Sequence, residues 1–392
     1  MNKLNLEKTI YTLMIVFFFF LFRRGGDTKY RITLLLIPLC FYYSWKIKNF
    51  IALKTYRNIY ISAFLYISML ILIFFFSKNK SGDRVDELLG MTLYSIILFL
   101  SLINIEISEK IYKMIFPLIT LFSIESIIRG FLDLWKHKEQ LEWYRLAGGS
   151  YTTIYAGEMG LFFIMGFLCI LIYKNKYIKI AYVVYSLLIL IIIYFTKSRN
   201  AMLMIPITIG SIFVIKNIKK GSVALILVFT LIGFIIKNPC NIEGFNRLSS
   251  ISSLEKIKTD ARVKIFKEGI IQGKNNLVLG EGFYKHKDEY LKLNDWEVNP
   301  HYHNIFIETF ATQGVITLIL YVLFLFLLFK EMVKNYYKEK SEIKELKILP
   351  LGIFIFMILY GLAEPIFYFT KIYMILFTII SLSFIQIEGK VN

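Results

Sequence analysis

HYHNIFIETFATQGVITLILYVLFLFLLFK, residues 301–330, carries the two features around which the chain is organised. It opens on a polar cluster, His301-Tyr-His-Asn304, and passes at once into an apolar run that ends at Lys330. A helix rises 1.5 Å per residue, so about 20 apolar residues cross a hydrocarbon core about 30 Å thick. The run shows no period-2 alternation, which excludes a β-barrel strand. The stretch therefore predicts a membrane-spanning helix that begins on two histidines.

Similar apolar blocks recur along the chain. Of its 392 residues, 57% are hydrophobic and only 19% charged, and the charges fall mostly between the blocks. The blocks lie at 10–22, 32–45, 59–76, 88–104, 111–129, 154–173, 178–196, 200–215, 222–236, 304–329, 348–363 and 366–387. They predict an all-α polytopic membrane protein with about twelve transmembrane helices. The first block follows Lys3 and Lys8, as a signal peptide would. It runs into Phe22-Arg-Arg24 with no small-x-small cleavage site, so it reads as a retained span.

The formal charge of +18 would suggest nucleic acid in a soluble protein. Here the lysines and arginines decorate membrane loops, and no nucleic-acid partner is expected. Their asymmetry places both termini in the cytoplasm. Residues 1–236 then carry helices 1–9, residues 237–303 form a large extracytoplasmic loop, and residues 304–392 carry helices 10–12. The Lys-rich run 330–347 falls on the cytoplasmic side. Cys40 and Cys169 sit in apolar blocks and Cys240 stands alone, which implies neither a disulfide framework nor a thiolate metal site.

Two outer segments carry structure of their own. Phe131–Thr153, with Trp135, Trp143, Tyr144 and Tyr151, suits a helix lying in the membrane interface. In the long loop, Leu254, Ile257, Ala261 and Ile265 recur at helical spacing, predicting an amphipathic helix over Ser253–Gln272. Ser252 or Ser253 would cap it and Gly273 would stop it. A turn over Leu277–Phe283 follows.

The chemistry-bearing residues gather in these outer parts. They are Ser198-Arg199, Arg262, Gly280-Glu-Gly282 and His301-Tyr-His303-Asn304, with Gly314 further along. A histidine at a helix start can take a proton from a hydroxyl. Arginines hold phosphate oxygens in a bidentate fork. One base with two or three arginines suits transfer from a phosphorylated donor to an alcohol. Each residue also has a plainer reading: an interfacial anchor for Arg199, a solvated cation for Arg262, a capping residue for His286. His301 and His303 could instead open a metal site with Asp260, Asp295 or Glu308. The chain has no Asp-x-Asp pair, no Walker motif and no Gly-x-Ser-x-Gly. That argues against a metal-dependent transferase using nucleotide sugars and against ATP-driven export. Glu125 and Arg129, four apart, are placed to pair on one helix face.

The run His303-Asn304-Ile-Phe-Ile-Glu-Thr-Phe-Ala-Thr-Gln-Gly314 resembles the signature of the O-antigen polymerase and O-antigen ligase superfamily (Wzy-type and WaaL-type proteins). Asp260-Ala-Arg262 with Leu279-Gly-Glu-Gly282-Phe, and Thr196-Lys-Ser198-Arg199, resemble further blocks of that superfamily. Arg145-Leu-Ala-Gly-Gly149 resembles a weaker element, although Ser150-Tyr-Thr-Thr-Ile stands where the family often has Asn-Pro-Asn. The resemblance implies a GT-C-like membrane glycosyltransferase that takes an undecaprenyl-diphosphate-linked oligosaccharide and inverts the sugar without a metal or other cofactor. It implies His303 as the base and Arg199 and Arg262 as diphosphate ligands. Arg145, His301, Asn304, Gly280 and Gly282 are candidates for further substrate contacts.

The resulting expectation is a polymerase of O-antigen, capsular or exopolysaccharide repeat units at the outer face of the bacterial inner or plasma membrane, with a chain-length regulator as a partner. A ligase delivering the same donor to lipid A core or protein uses identical chemistry. A lipid-linked sugar flippase is the third reading. Transporters usually show internal repeats and interrupted helices, and the sequence displays neither clearly.

Overall fold

The computed structural model describes residues 3–22, 27–46, 51–77, 84–140, 144–148, 151–237, 261–283, 301–364 and 370–387. In chain order the helices are α1 (Lys3–Phe22), α2 (Thr28–Lys46), α3 (Ile51–Thr55), α4 (Arg57–Phe76), α5 (Arg84–Met91) and α6 (Leu98–Leu102). They continue with α7 (Glu109–Lys136), α8 (Thr152–Ile172), α9 (Lys176–Thr196), α10 (Arg199–Lys216) and α11 (Ile218–Lys237). The last four are α12 (Ala261–Asn275), α13 (Ile305–Lys338), α14 (Ile348–Gly361) and α15 (Thr370–Ser381). A π-helical turn, Thr92–Ile97, joins α5 to α6. Each expected apolar block falls mainly on helix; Ile103, Asn104, Tyr173, Asn304, Leu362, Ala363 and residues 382–387 are the non-helical block residues among those described, and residues 366–369 lie outside the described residues.

Six helices among the described residues are long and apolar enough to cross a membrane: α4, α7, α8, α9, α10 and α13. Shorter apolar helical stretches lie at Leu88–Leu102, Gly221–Thr230 and Thr370–Ser381. Among the described residues the one strand pairing is a two-residue parallel bridge, β1 (Glu106–Ile107) with β2 (Gln386–Ile387).

The chain divides into two compact units. The first comprises Met1–Ile115, Lys264–Ile343 and Pro365–Asn392. In it α1 packs on α2, α4 packs on α13, and α15 packs on α6 and the π turn. Polar ties fix the depth of these apolar helices. Tyr112 donates to the Leu382 carbonyl at 3.0 Å, and the Asn335 amide donates to Tyr56 and to the Ser383 carbonyl, each at 3.0 Å. In a dry interior such bonds are expensive to leave unmade, so they select one register among many that bury similar apolar area.

The second unit comprises Phe116–Val263 and Lys344–Glu364. Its centre is α8, whose side chains are buried almost all the way round. A helix apolar on every face belongs inside a bundle, and α9, α10 and α14 supply the cover. Glu125 and Arg129 do pair, at 4.0 Å. Arg129 also donates to Ser126 at 2.9 Å, and Ser126 donates to the buried Glu158 of α8 at 2.8 Å.

Three elements run differently from the sequence expectation. α13 continues past Lys330 to Lys338, because Met332 and Tyr336 keep one face buried. α7 runs on to Lys136 into the segment expected to form an interfacial helix, and residues 144–148 are not helical. Asp133 accounts for this: its carboxylate takes the N–H groups of Ala147 and Gly148 at 3.1 and 2.9 Å, bonds a helix would have used internally. Finally, α12 passes through Gly273 to Asn275, while the expected start at Ser252 or Ser253 lies outside the described residues.

Candidate active site

The candidate residues form two groups, one in each unit. In the first unit they gather at the start of α13. Asn304 is its N-cap: the side-chain oxygen accepts the N–H groups of Phe306 and Ile307 at 2.9 and 3.1 Å. That satisfies two of the donors every helix start leaves open, so Asn304 has a full structural role at the position the sequence marks. His303 precedes it with φ 53°. Among the described residues only Lys197 shares a left-handed backbone without being glycine. The conformation is unfavourable for an L-residue with a side chain, least so for Asn, Asp and His.

Tyr302 lies beneath the turn, fully buried. Its N–H donates to Glu308 and its hydroxyl to Glu281 at 3.3 Å. Burial, then the charges of Glu281 and Glu308, push the Tyr302 hydroxyl above its ordinary range, so it stays a donor. His301 Nδ1 sits 3.7 Å from Glu308. Under the turn runs α12, whose Gly269 and Gly273 face α13. A Cβ at Gly269 would strike Tyr302 and Ile307, and one at Gly273 would strike the Phe310 ring. These are paired small residues at i and i+4, the device that lets helices approach closely. Gly273 therefore serves packing and does not end its helix.

The Gly280 and Gly282 motif is explained by a break in α13. Gly314 has φ 81° and ψ 173°, which interrupts the helix. A break frees backbone groups that need other partners. The loop after α12 provides them: Glu281 N–H donates to the Ala311 carbonyl at 3.0 Å, and Gly282 N–H to the Thr312 carbonyl at 2.9 Å. In return Val315 N–H donates to the Leu277 carbonyl at 2.8 Å. The chains pass so close that a Cβ at Gly280 would run into the Thr312–Gln313 backbone. This interrupted helix was not visible in the sequence, because apolar residues flank Gly314 on its C-terminal side without a gap.

The second unit holds the arginines. Lys197, left-handed at φ 51°, caps the end of α9 ahead of α10. Ser198 then caps α10, accepting Ala201 N–H at 3.5 Å, which sets Arg199 at the first helical position. Asn200 donates to the Tyr360 carbonyl at 2.8 Å, and the Tyr360 hydroxyl donates to the Thr153 carbonyl at 2.6 Å. Around Tyr360 gather Ser198, Glu364 and the charges of Arg262 and Arg145. Arg262 forms an ion pair with Glu364, whose side chain is 3% exposed. Arg145 is carried by the 144–148 stretch, tied to α9 through Leu146 N–H and Phe195 carbonyl at 3.1 Å. Asp133 anchors the same stretch and accepts the Tyr144 hydroxyl at 2.9 Å; burial and this carboxylate push Tyr144 up to about 12.

The region from α9 through the break in α13 also has a counterpart among known families. Residues 184–322 match the family model described as O-Antigen ligase. This match places that region in the O-antigen ligase/polymerase superfamily. It covers Arg199, Arg262, Gly280, Gly282, His301, His303 and Asn304, and it leaves Arg145 outside. Beside this match stand the six helices long and apolar enough to cross a membrane, in keeping with a multi-pass membrane protein. The superfamily lends nothing to a flippase reading. No curated protein matches the chain.

Sequence reasoning assigned no role to Glu364 or Tyr302 and met Glu308 only as a possible metal ligand. A signal was present for the carboxylates: each is a lone acid within an apolar run, and such residues usually mark function or a pairing.

Proposed function

We propose that this protein is a membrane glycosyltransferase that polymerises oligosaccharide repeat units carried on undecaprenyl diphosphate. The acceptor hydroxyl gives its proton to His303 as its oxygen attacks the anomeric carbon of the donor sugar. The bond from that carbon to the diphosphate breaks, the configuration inverts, and the lipid diphosphate leaves with the bonding electrons. Arg199 and Arg262 hold the leaving group, and Arg145, His301, Asn304, Gly280 and Gly282 are candidates for further substrate contacts. The observation that carries this reading is the left-handed His303 turn, over-determined by Asn304, Tyr302 and Glu308; strained backbone of this kind concentrates at working sites.

The same reading includes the twelve-span arrangement, a GT-C-like architecture and residues 237–303 as an extracytoplasmic loop, so that transfer takes place outside the cytoplasmic membrane. A chain-length regulator would act on the product. The ligase alternative uses the same donor and chemistry and differs only in the acceptor, and the family match is shared by both. The deciding experiment is reconstitution in liposomes with a lipid-diphosphate-linked repeat unit, without nucleotide. A ladder of lipid-linked oligomers is the expected product. Donor consumed only when lipid A core or a protein acceptor is added would establish the ligase instead.

Arg262→Lys tests the leaving-group assignment. Lysine keeps a positive charge opposite buried Glu364, so the ion pair survives. Alanine would strand that carboxylate at a cost of about 3–5 kcal/mol and confuse the result. Lysine loses the bidentate fork. Turnover is expected to fall about 10-fold or more with the melting temperature unchanged; full turnover would make Arg262 a purely structural cation.

A further inference from the structure

Glu308 is 1% exposed, a costly place for a carboxylate unless donors surround it. It sits in the first turn of α13, where the helix N-terminus favours negative charge. Its oxygens also reach back past the N-cap. Tyr302 N–H donates to one of them, and His301 Nδ1 lies 3.7 Å from the other. His303 lies between the two pinned positions. On one side Asn304 is fixed by the N–H groups of Phe306 and Ile307; on the other Tyr302 is fixed by Glu308. The Glu308 backbone is itself held, its N–H donating to the Asn304 carbonyl at 2.7 Å and its carbonyl accepting the Thr312 hydroxyl at 2.7 Å.

We infer that Glu308 is a positioning residue for transfer: by accepting the Tyr302 N–H it holds the left-handed turn and so sets the direction of the His303 imidazole. The inference rests on His303 being the base. A displacement of about 1 Å at a reacting group can cost up to about 100-fold in rate, and Glu308 is the side chain that removes this freedom.

The test uses full-length protein in liposomes, with a lipid-diphosphate-linked repeat unit as probe and kcat and KM measured separately. Glu308→Asp keeps the charge but withdraws the carboxylate by one methylene from Tyr302. Its kcat is expected to fall about 10-fold or more, with KM for the donor unchanged, since Glu308 touches the turn and not the donor. Glu308→Gln keeps both the reach and an oxygen acceptor, and it should restore most of kcat. Wild-type kcat in the Asp variant overturns the inference. So does a Gln variant as impaired as Asp, since an acceptor of full reach would then not suffice to hold the turn. So does a loss of activity that merely follows the amount of folded protein, read by thermal melting. His303→Asn in the same liposomes separates the two levels. If that variant is active, the base assignment fails; if it is inactive while Glu308→Asp is unimpaired, only the positioning role fails.

Discussion

His303→Asn is expected to abolish the oligomer ladder while leaving a folded protein. Removing a general base costs about 10²–10⁴-fold, which takes the product below detection on a gel. Asparagine is the right replacement because, with Asp and His, it is among the side-chain-bearing residues that best tolerate the left-handed backbone at φ 53°. His303→Gly sharpens the result. Glycine relieves a conformation that costs a side-chain-bearing residue about 1–2 kcal/mol, so this variant should melt no lower than the parent. Activity and stability then move in opposite directions at one position. A residue kept for packing or capping cannot show that pattern, because its loss lowers both together. A normal ladder from His303→Asn would end the assignment.

Why His303 was legible in the sequence while its supports were not follows from where the information lies. A His-Asn pair opening an apolar run, with a glycine eleven residues on, is written in consecutive residues. The apolar blocks are equally local, and each of them fell mainly on helix among the described residues. Glu308 and Glu281 matter through contacts to Tyr302 that cross a helix start and a loop. Spacing alone does not show which way a side chain reaches. Gly273 makes the same point. A glycine that ends a helix and one that admits a neighbouring ring are identical as letters, and only Phe310 on the facing helix distinguishes them. Asp133 is a third case. The segment Phe131–Thr153 reads as an interfacial helix, yet a carboxylate eleven residues upstream of Tyr144 takes the amides of Ala147 and Gly148 and keeps them out of a helix.

The arginines illustrate a different limit. Arg262 reads as a solvated cation on a basic helix, and its neighbours Lys264 and Lys267 are indeed exposed. The partner that sets it apart, Glu364, lies 102 residues away in sequence. Lone acids in apolar runs are therefore worth pairing with every arginine in such a chain before either is assigned to solvent.

Gly314→Ala carries the second large effect. At φ 81° and ψ 173° the backbone occupies a region essentially reserved for glycine. The added methyl would also meet the Val278 carbonyl, which is backbone and cannot rotate away. Relief requires the Leu277–Phe283 loop to withdraw, which breaks the bonds from Glu281 N–H, Gly282 N–H and Val315 N–H. Each buried backbone group left unpaired costs about 1–3 kcal/mol, against a total stability of about 5–15 kcal/mol for a typical domain. Two outcomes are open to the chain, and both remove activity. Either the unit fails to fold and expression collapses, or α13 closes into a continuous helix that re-pairs Ala311 with Val315. In the second case the loop loses its docking site, Glu281 is drawn away from Tyr302, and the turn beneath His303 loosens. The two are told apart by expression level, melting temperature and hydrogen exchange at Glu281 and Val315. Wild-type activity from Gly314→Ala would mean that the break in α13 is incidental, and that the glycine eleven residues after His303 marks this site for some reason other than the geometry described.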